Sequence, residues 1–244
     1  MITFNQVTKQ FPTGTSAIKN ASFVIDPGEF VVLVGPSGAG KTTILRLMLR
    51  EFLPTSGSIN IGDYDLSELK DKELPGLRRQ IGAAFQDFKL LQDRTAAENI
   101  ALTLEIIDSK SSEIRHRVKR LLELVGLQGK GGLFPSQLSG GELQRTVIAR
   151  ALATEPAVLF ADEPTGNLDQ ETAFQIIKLL KKINDLGTTV ILATHNQNII
   201  KDVKKRQIEL KKGEITKDTK PKKKKLEKKK EHKKETKKDK KIRN

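Results

Sequence analysis

The fold is decided by the stretch Gly35-Pro36-Ser37-Gly38-Ala39-Gly40-Lys41-Thr42. It matches the pattern G-x-x-x-x-G-K-(S/T) and lies between an apolar run and a helical pattern. The glycines allow backbone N–H groups to turn inward around phosphate oxygens, and the start of the following helix adds its positive end. In this pattern Lys41 contacts the β- and γ-phosphates, and the Thr42 hydroxyl binds Mg²⁺. The stretch, called the phosphate loop below, predicts a nucleoside triphosphate site.

The segments around the phosphate loop alternate between short apolar runs and helical patterns. Continuous apolar runs, typical of strands buried on both faces, occur at 30–34, 157–161 and 189–193. Helical patterns occur at 41–49, 141–153 and 169–186. This alternation predicts an α/β fold with a mostly parallel sheet.

Two regions depart from the alternation. Strand patterns at 2–7 and 22–25 flank a turn and predict an antiparallel β part at the N-terminal end. The helical stretch at 95–126 has no strand beside it. We expect it to belong to an inserted helical subdomain at about 88–136.

A pair of acids follows the apolar run at 157–161. Asp162 comes at the end of this predicted strand and can reach Mg²⁺ directly or through water. Glu163 can hold a water in line with the γ-phosphate and act as its base. Buried strands often end in acids, so the pair gains its meaning from the phosphate loop. Phosphoryl transfer needs both a phosphate cradle and a metal-and-water site.

Residues 138–142 read Leu-Ser-Gly-Gly-Glu and precede another helical pattern. The Ser139 hydroxyl and the backbone N–H groups at a helix start offer a second anion site. Residues 138–142 are called the signature segment below. Because the chain already has one phosphate loop, this second anion site implies either a second nucleotide or a second chain.

Taken together, the two motifs resemble those of the nucleotide-binding subunits of ABC ATPases, over residues 1 to about 216. The resemblance implies a P-loop NTPase core with ATP and Mg²⁺ as ligands. It also implies a head-to-tail homodimer, in which each ATP lies between the phosphate loop of one copy and the signature segment of the other. The catalytic residues that it implies are Glu163, His195, Gln86 and Lys41.

The same resemblance assigns the binding residues. Phe11 corresponds to the aromatic that stacks on adenine, and His195 to the switch histidine that contacts the γ-phosphate. Residues 167–169 correspond to the loop at the dimer seam. The implied magnesium ligands are Thr42, Gln86 and Asp162. The implied nucleotide-binding set is Phe11, Gly35, Pro36, Ser37, Gly38, Ala39, Gly40, Lys41, Thr42, Thr43, Ser139, Gly140, Gly141 and Glu142.

Residues 77–99 resemble one group of ABC ATPases, the FtsE group of bacterial division complexes. The selective parts are QDFKLL at 86–91 and DRT at 93–95. This resemblance implies an integral membrane partner of the FtsX type, contacted through the Gln86 region, whose outer segment activates peptidoglycan hydrolases. The run DEPTGNLD at 162–169 is shared with lipoprotein-release and macrolide-export ATPases, which therefore stay the alternative. Two departures, Leu143 in the signature region and Thr42 in place of Ser, keep the required chemistry.

A third alternative is an ABC ATPase that acts on nucleic acid. Repair and cohesion types insert long coiled coils between the two motifs, and translation types carry two cassettes. Here about 120 residues without heptads separate Lys41 from Asp162. Nucleic acid is therefore the less favoured partner.

Positive charge is concentrated at the C-terminal end. The 244 residues carry a net charge of +14, and 217–244 contain 15 Lys and one Arg against three Glu and two Asp. This stretch has two aliphatic residues and no aromatic, so burial cannot offset its ordering entropy and we expect a disordered tail after the ATP-binding domain at 1–216. A solvated extension, a contact with anionic lipid and a nucleic-acid contact stay open for it, and lipid is favoured over nucleic acid because the body implies a membrane partner.

Composition excludes several classes of protein. The chain has no cysteine, which excludes a disulfide scaffold and a thiolate metal site. No apolar run approaches the roughly 18 residues that span a bilayer. We therefore expect a cytoplasmic protein, and the resemblance to the FtsE group implies that it is peripheral on the cytoplasmic face of the bacterial inner membrane.

Overall fold

The computed structural model describes residues 1–220, which form two β-sheets flanked by helices. The first sheet is antiparallel and comprises β1 (Ile2–Gln10), β2 (Ser16–Ile25), β4 (Ser56–Ile61) and β5 (Tyr64–Asp65), in the order β2-β1-β4-β5. The second comprises β3 (Phe30–Val34), β6 (Ile81–Ala84), β7 (Val158–Asp162), β8 (Thr189–Thr194), β9 (Arg206–Lys211) and β10 (Glu214–Asp218), in the order β10-β9-β3-β8-β7-β6. The helices are α1 (Lys41–Met48), α2 (Leu74–Arg79), α3 (Ala96–Glu105), α4 (Ser111–Leu124), α5 (Gly140–Ala151), α6 (Gln170–Asp185) and α7 (Gln197–Val203).

The second sheet is parallel except at β10, as the alternating pattern predicts. Every residue of β3, β7 and β8 is buried, because layers on both faces cover these apolar runs. Val34 is paired with Thr194, and Asp162 with Ala193. The carboxyl ends of the three strands therefore meet at one edge of the sheet.

Alternate residues of β3 supply two separate hydrophobic cores. Val32 and Val34 belong to a cluster that includes residues of α3, α4, α5, α6 and α7. Val31 and Leu33 point to the opposite face and pack with α1 and the first sheet. The period of two along a strand thus divides one apolar run between two layers.

The helical stretch predicted at 95–126 is two helices, α3 and α4. The helical conformation is interrupted between them, where Asp108 adopts a left-handed φ of 55°. Ile100 and Val118 from these helices belong to the same hydrophobic cluster as one face of the second sheet. The division into a separate subdomain at 88–136 stays a prediction.

Strands β9 and β10 form a C-terminal hairpin that extends past residue 216, the predicted end of the ATP-binding domain. Strand β10 ends at Asp218, so residues 217–220, which were assigned to the tail, belong to the folded body. The buried guanidinium of Arg206 lies between Glu29 at 3.0 Å and Asp218 at 2.7 Å. Lys220 forms a further ion pair with Asp26 at 2.8 Å. The rest of the predicted tail, 221–244, lies outside the described residues.

Other elements have no counterpart in the sequence prediction, namely β4, β5, α2 and α7. Each is short or only partly buried. Within residues 1–220 no helix combines the length and the hydropathy needed to cross a bilayer.

Candidate active site

The phosphate loop connects β3 to α1 with almost no space beside its backbone. A Cβ at Gly35 would lie 2.5 Å from the carbonyl oxygen of Leu210, so only glycine fits. Gly40 has a φ of 112° and caps α1 without a side chain. The first backbone N–H groups of α1 thus have no side-chain acceptor at the cap, as a phosphate-binding helix start requires.

Lys41 is the first residue of α1, and its side chain is only 6% exposed. Its ammonium donates to the carbonyl oxygens of Gly35 at 2.7 Å and Pro36 at 3.1 Å. It also lies 3.1 Å from Oε1 of Glu163. The cation is therefore held between the loop and the acid that the sequence predicts to be the base.

Thr42 and Asp162 lie in direct contact, although 120 positions separate them. The Thr42 hydroxyl donates to Oδ2 of Asp162 at 2.6 Å. The other carboxylate oxygen, Oδ1, is buried and has no hydrogen-bond partner among the described residues. Burial raises the pKa of Asp162 above its ordinary value. A hydroxyl beside a carboxylate with one free buried oxygen suits Mg²⁺, which prefers oxygen ligands.

Glu163 lies just past β7 in a strained conformation. Its φ is 48°, in the left-handed region that a non-glycine residue rarely adopts. Its N–H donates to the carbonyl oxygen of Ala193 at 2.9 Å, which anchors it to β8. Nδ1 of His195 donates to Oε1 of Glu163 at 2.8 Å, and His195 remains 60% exposed. In this conformation the same carboxylate oxygen of Glu163 contacts both Lys41 and His195.

Gln86 follows β6 and is exposed. A Cβ built on Gly166 would lie 3.6 Å from Nε2 of Gln86 and 4.0 Å from Cβ of Glu163. Gln86 thus lies beside the loop that follows the base. Among residues 1–220, no hydrogen bond joins Gln86 to Asp162. The role of Gln86 as a magnesium ligand stays a prediction.

Sequence reasoning missed Arg150, which holds the segment after Gln86. The Arg150 guanidinium, at the end of α5, donates to the carbonyl oxygens of Phe88 at 2.9 Å and Lys89 at 2.6 Å. Both of these residues have left-handed φ values, 56° and 49°. Helix α5 begins in the signature segment, so one helix joins it to the Gln86 region. No motif includes Arg150, and only the fold reveals its contacts.

The signature segment lies at the start of α5, whereas the phosphate loop lies at the start of α1. Ser139 caps the helix: its hydroxyl accepts from the N–H of Glu142 at 3.4 Å, and its own N–H donates to Oε2 of Glu142 at 2.9 Å. Lys130 pairs with Glu142 and, with the Ser139 N–H, lowers the pKa of that carboxyl. A Cβ on Gly141 would lie 2.4 Å from the side chain of Thr172 at the start of α6. Ser139 and Gly140 are exposed.

Phe11 lies in the turn between β1 and β2, apart from the acids. Its ring packs edge-on against Phe52, with centroids 5.2 Å apart and planes at 84°. The start of β2 contacts the phosphate loop, since a Cβ at Gly40 would lie 2.6 Å from the carbonyl oxygen of Ala17. The structure therefore brings Lys41, Thr42, Asp162, Glu163 and His195 together, with Phe11 on an adjoining hairpin and the signature segment elsewhere. The catalytic and binding roles of these residues stay predictions.

Comparison with known proteins finds strong similarity over nearly the whole described chain. The ABC transporter family model matches residues 18–166. The cell division ATP-binding protein FtsE of Bacillus subtilis is 50% identical over 218 residues, which is 89% of this chain and 96% of that protein. FtsE of Escherichia coli is 45% identical over 215 residues, 88% of this chain and 97% of that protein. The dimeric, post-hydrolysis structure of the ATP-binding cassette MJ0796, bound to ADP and Pi, superposes with a TM-score of 0.81 at 39% identity, covering 89% of this chain and 97% of that one.

Proposed function

Because this chain belongs to the ABC transporter family and, within it, to the FtsE cell-division ATP-binding proteins, we propose that it is an ATPase subunit that drives a membrane partner. It would dimerise on ATP and act on a partner of the FtsX type to regulate peptidoglycan hydrolysis during bacterial division. It carries no membrane-crossing helix within residues 1–220, and we propose that this partner holds it on the cytoplasmic face of the inner membrane.

One observation carries the ATPase assignment: the meeting of Lys41, Glu163 and His195 at the carboxyl edge of the parallel sheet. A cation for phosphate, a carboxylate base and an imidazole are the groups that hydrolysis of a phosphoanhydride requires. They come from α1 and from the loops after β7 and β8, so the fold itself assembles them.

The geometry supports a separate task for each group. Lys41 would exchange the carbonyl oxygens of Gly35 and Pro36 for phosphate oxygens, which carry full negative charge. The Glu163 carboxylate would accept a proton from the attacking water as its oxygen bonds to the γ-phosphorus and the bond to the ADP oxygen breaks. His195 would hold the Glu163 side chain in place and contact the transferred phosphate. Mg²⁺, held by Thr42 and Asp162, would supply charge neutralisation at the phosphates.

The signature segment would complete the site of a second copy. The relatives with solved structures include dimers of the cassette MJ0796. In this chain the exposed Ser139 and Gly140 lie at a helix start, where Ser139 bonds to Glu142 and Gly140 lies beside the side chain of Leu168. Such donors could bind the γ-phosphate of ATP held by the other copy. Hydrolysis would then release the two copies, because the bridging phosphate is lost.

Isolation of the complex tests the proposed partner. Affinity purification of the Glu163→Gln variant with ATP, from solubilised membranes of the source bacterium, should recover a four-span membrane protein of the FtsX type. The Lys41→Ala variant is the matched control and should recover less of it. Recovery of a drug-exporter or lipoprotein-release permease instead would contradict the division role and leave the ATPase assignment intact.

We also propose that the basic tail contacts anionic lipid. Residues 221–244 carry 13 Lys and one Arg against three Glu and one Asp, and each basic residue near an anionic surface contributes up to about 1 kcal/mol. The deletion must begin after Lys220, because a shorter chain would lose Lys220, the partner of Asp26, or Asp218, the partner of Arg206. The full chain should co-sediment with vesicles containing phosphatidylserine, and the chain ending at Lys220 should not. Equal sedimentation of both would overturn the proposal.

A further inference from the structure

Phe52 has no role in the motifs, yet it lies where the phosphate loop and the Phe11 hairpin meet. It follows the end of α1, and its N–H donates to the carbonyl oxygen of Arg46 in the last turn of that helix. Its ring is partly buried and packs against the hydrophobic core formed by α1 and the first sheet. Phe52 is thus fixed to the same helix that begins with Lys41.

The Phe11 backbone is held within its own hairpin, where its N–H donates to the carbonyl oxygen of Thr15 at 2.9 Å, but its ring lacks such contact with the core. Within residues 1–220 its ring joins neither hydrophobic cluster, and it sits in a turn rather than in a strand. Its aromatic neighbour is Phe52, met edge-on at 5.2 Å. Edge-to-face pairs of this kind are favourable and fix the angle between the two rings. The core therefore restrains the Phe11 ring through Phe52.

Two cations complete the cluster. The Lys9 ammonium lies 5.4 Å from the Phe11 ring centroid and 5.5 Å from that of Phe52. The Arg46 guanidinium lies 5.6 Å from the Phe52 centroid. All three distances suit a cation–π contact. Arg46 belongs to α1, so it adds a second connection between Phe52 and the phosphate-binding helix.

We propose that Phe52 is a positioning residue for the purine base: it holds the Phe11 ring at a set distance and angle from the phosphate loop. Base and phosphates of one nucleotide are then recognised together. The proposal rests on the ATP-binding function proposed above, and on Phe11 as the ring that stacks on the base. Phe52 acts through Phe11 and does not touch the nucleotide itself.

Calorimetric titration of the full chain tests this with two probes, ATP and inorganic tripolyphosphate. Tripolyphosphate has the phosphates and lacks the base, so it reports on the phosphate loop alone. Base–aromatic stacking is worth about 5- to 150-fold in affinity. We expect Phe11→Ala to weaken ATP binding about tenfold and Phe52→Ala about fivefold, with tripolyphosphate affinity of both within about twofold of the parent. In steady-state hydrolysis, Phe52→Ala should raise KM for ATP and leave kcat unchanged.

The double variant Phe11→Ala/Phe52→Ala separates a positioning role from an independent one. It should bind ATP with the affinity of Phe11→Ala, because once the Phe11 ring is absent, the loss of Phe52 has no further effect on the base. Phe52→Tyr keeps the ring and should bind as the parent, and Phe52→Leu keeps the apolar packing and should show part of the loss without unfolding. Phe174→Ala, which removes a partly exposed ring on α6, is the matched control and should change neither affinity.

The outcomes distinguish the two hypotheses. If the losses of Phe11→Ala and Phe52→Ala multiply in the double variant, or if Phe52→Ala weakens tripolyphosphate as much as ATP, the positioning role is overturned. It is also overturned if Phe11→Ala weakens ATP and Phe52→Ala does not. If Phe11→Ala leaves ATP affinity unchanged, the stacking role of Phe11 fails, and the inference about Phe52 fails with it.

Discussion

The phosphate loop and the signature segment both begin a helix, but they are built in opposite ways. At α1, Gly40 provides no side-chain cap, and a buried lysine, two acids and a histidine surround the helix start. At α5, Ser139 and Glu142 satisfy each other in a capping box on an exposed surface. The first brings charged groups together within one chain, whereas the second exposes Ser139 and Gly140 at a helix start. The difference supports the proposal that one chain holds a catalytic half-site and a complementary half-site.

The largest expected effect comes from breaking the phosphate side. Lys41→Ala removes the cation that lies between the loop and Glu163. We expect ATP affinity and hydrolysis to fall by about 10² to 10³-fold or more, because no other cation takes its place within hydrogen-bond reach of the loop in residues 1–220. Isothermal titration and a phosphate-release assay measure the two quantities.

The control for this change is Lys178→Ala, which removes an exposed lysine on α6. Its affinity and turnover should match those of the parent. Near-normal hydrolysis by Lys41→Ala would show that the first half-site is assigned to the wrong residues.

A smaller effect should follow from breaking the signature side, and α3 provides a matched control. Thr95 and Glu98 form the same capping box on α3 that Ser139 and Glu142 form on α5. Ser139→Ala and Thr95→Ala should each lower the free energy of unfolding by about 1 kcal/mol. Only Ser139→Ala should lower steady-state hydrolysis, by about tenfold, since it alone removes a hydrogen bond to the nucleotide of the other copy.

Thermal unfolding and ATPase assays on the two variants measure both effects. ATP affinity at protein concentrations that keep the chain monomeric should be the same for both variants. Equal hydrolysis by both would place the signature segment outside the active site and remove the second half of the comparison.

The charge at the phosphate site predicts a difference in pH dependence. The Asp162 carboxyl titrates near 3.8 in the unfolded chain, and burial raises its pKa in the folded state. Above the folded pKa the native state holds a buried charge, so this residue's contribution to the free energy of unfolding is lost as the pH rises through that value. Asp162→Asn carries no charge. Without nucleotide, the unfolding temperature of this variant should rise relative to the parent as the pH increases above 3.8; a constant difference would contradict the sign.

The sequence predicted correctly that Thr42, Asp162 and Glu163 lie close together at one edge of the sheet, and the reason is local. A strand buried on both faces, such as β3 or β7, reads as a continuous apolar run, and the residue after it must lie at the sheet edge. Parallel pairing then brings Asp162 near Thr42. Motif order and strand pattern were therefore enough to place these residues at one edge.

The contacts that the sequence could not predict join distant positions. Phe11 and Phe52 are 41 positions apart and meet only because the β1–β2 turn lies beside the end of α1. Arg206 is buried because Glu29 and Asp218 flank it, which no local pattern reveals. Strand β4 was missed because four of its six residues are exposed or partly exposed, and its pattern resembles a loop.

The central claim is that ATP is bound between two copies of this chain. Light scattering of the Glu163→Gln variant, at saturating ATP and Mg²⁺, tests it most directly, because this variant retains Lys41 and lacks the base. The account predicts a mass of twice 27.2 kDa with ATP and the mass of one chain with ADP. A single-chain mass at saturating ATP would contradict it.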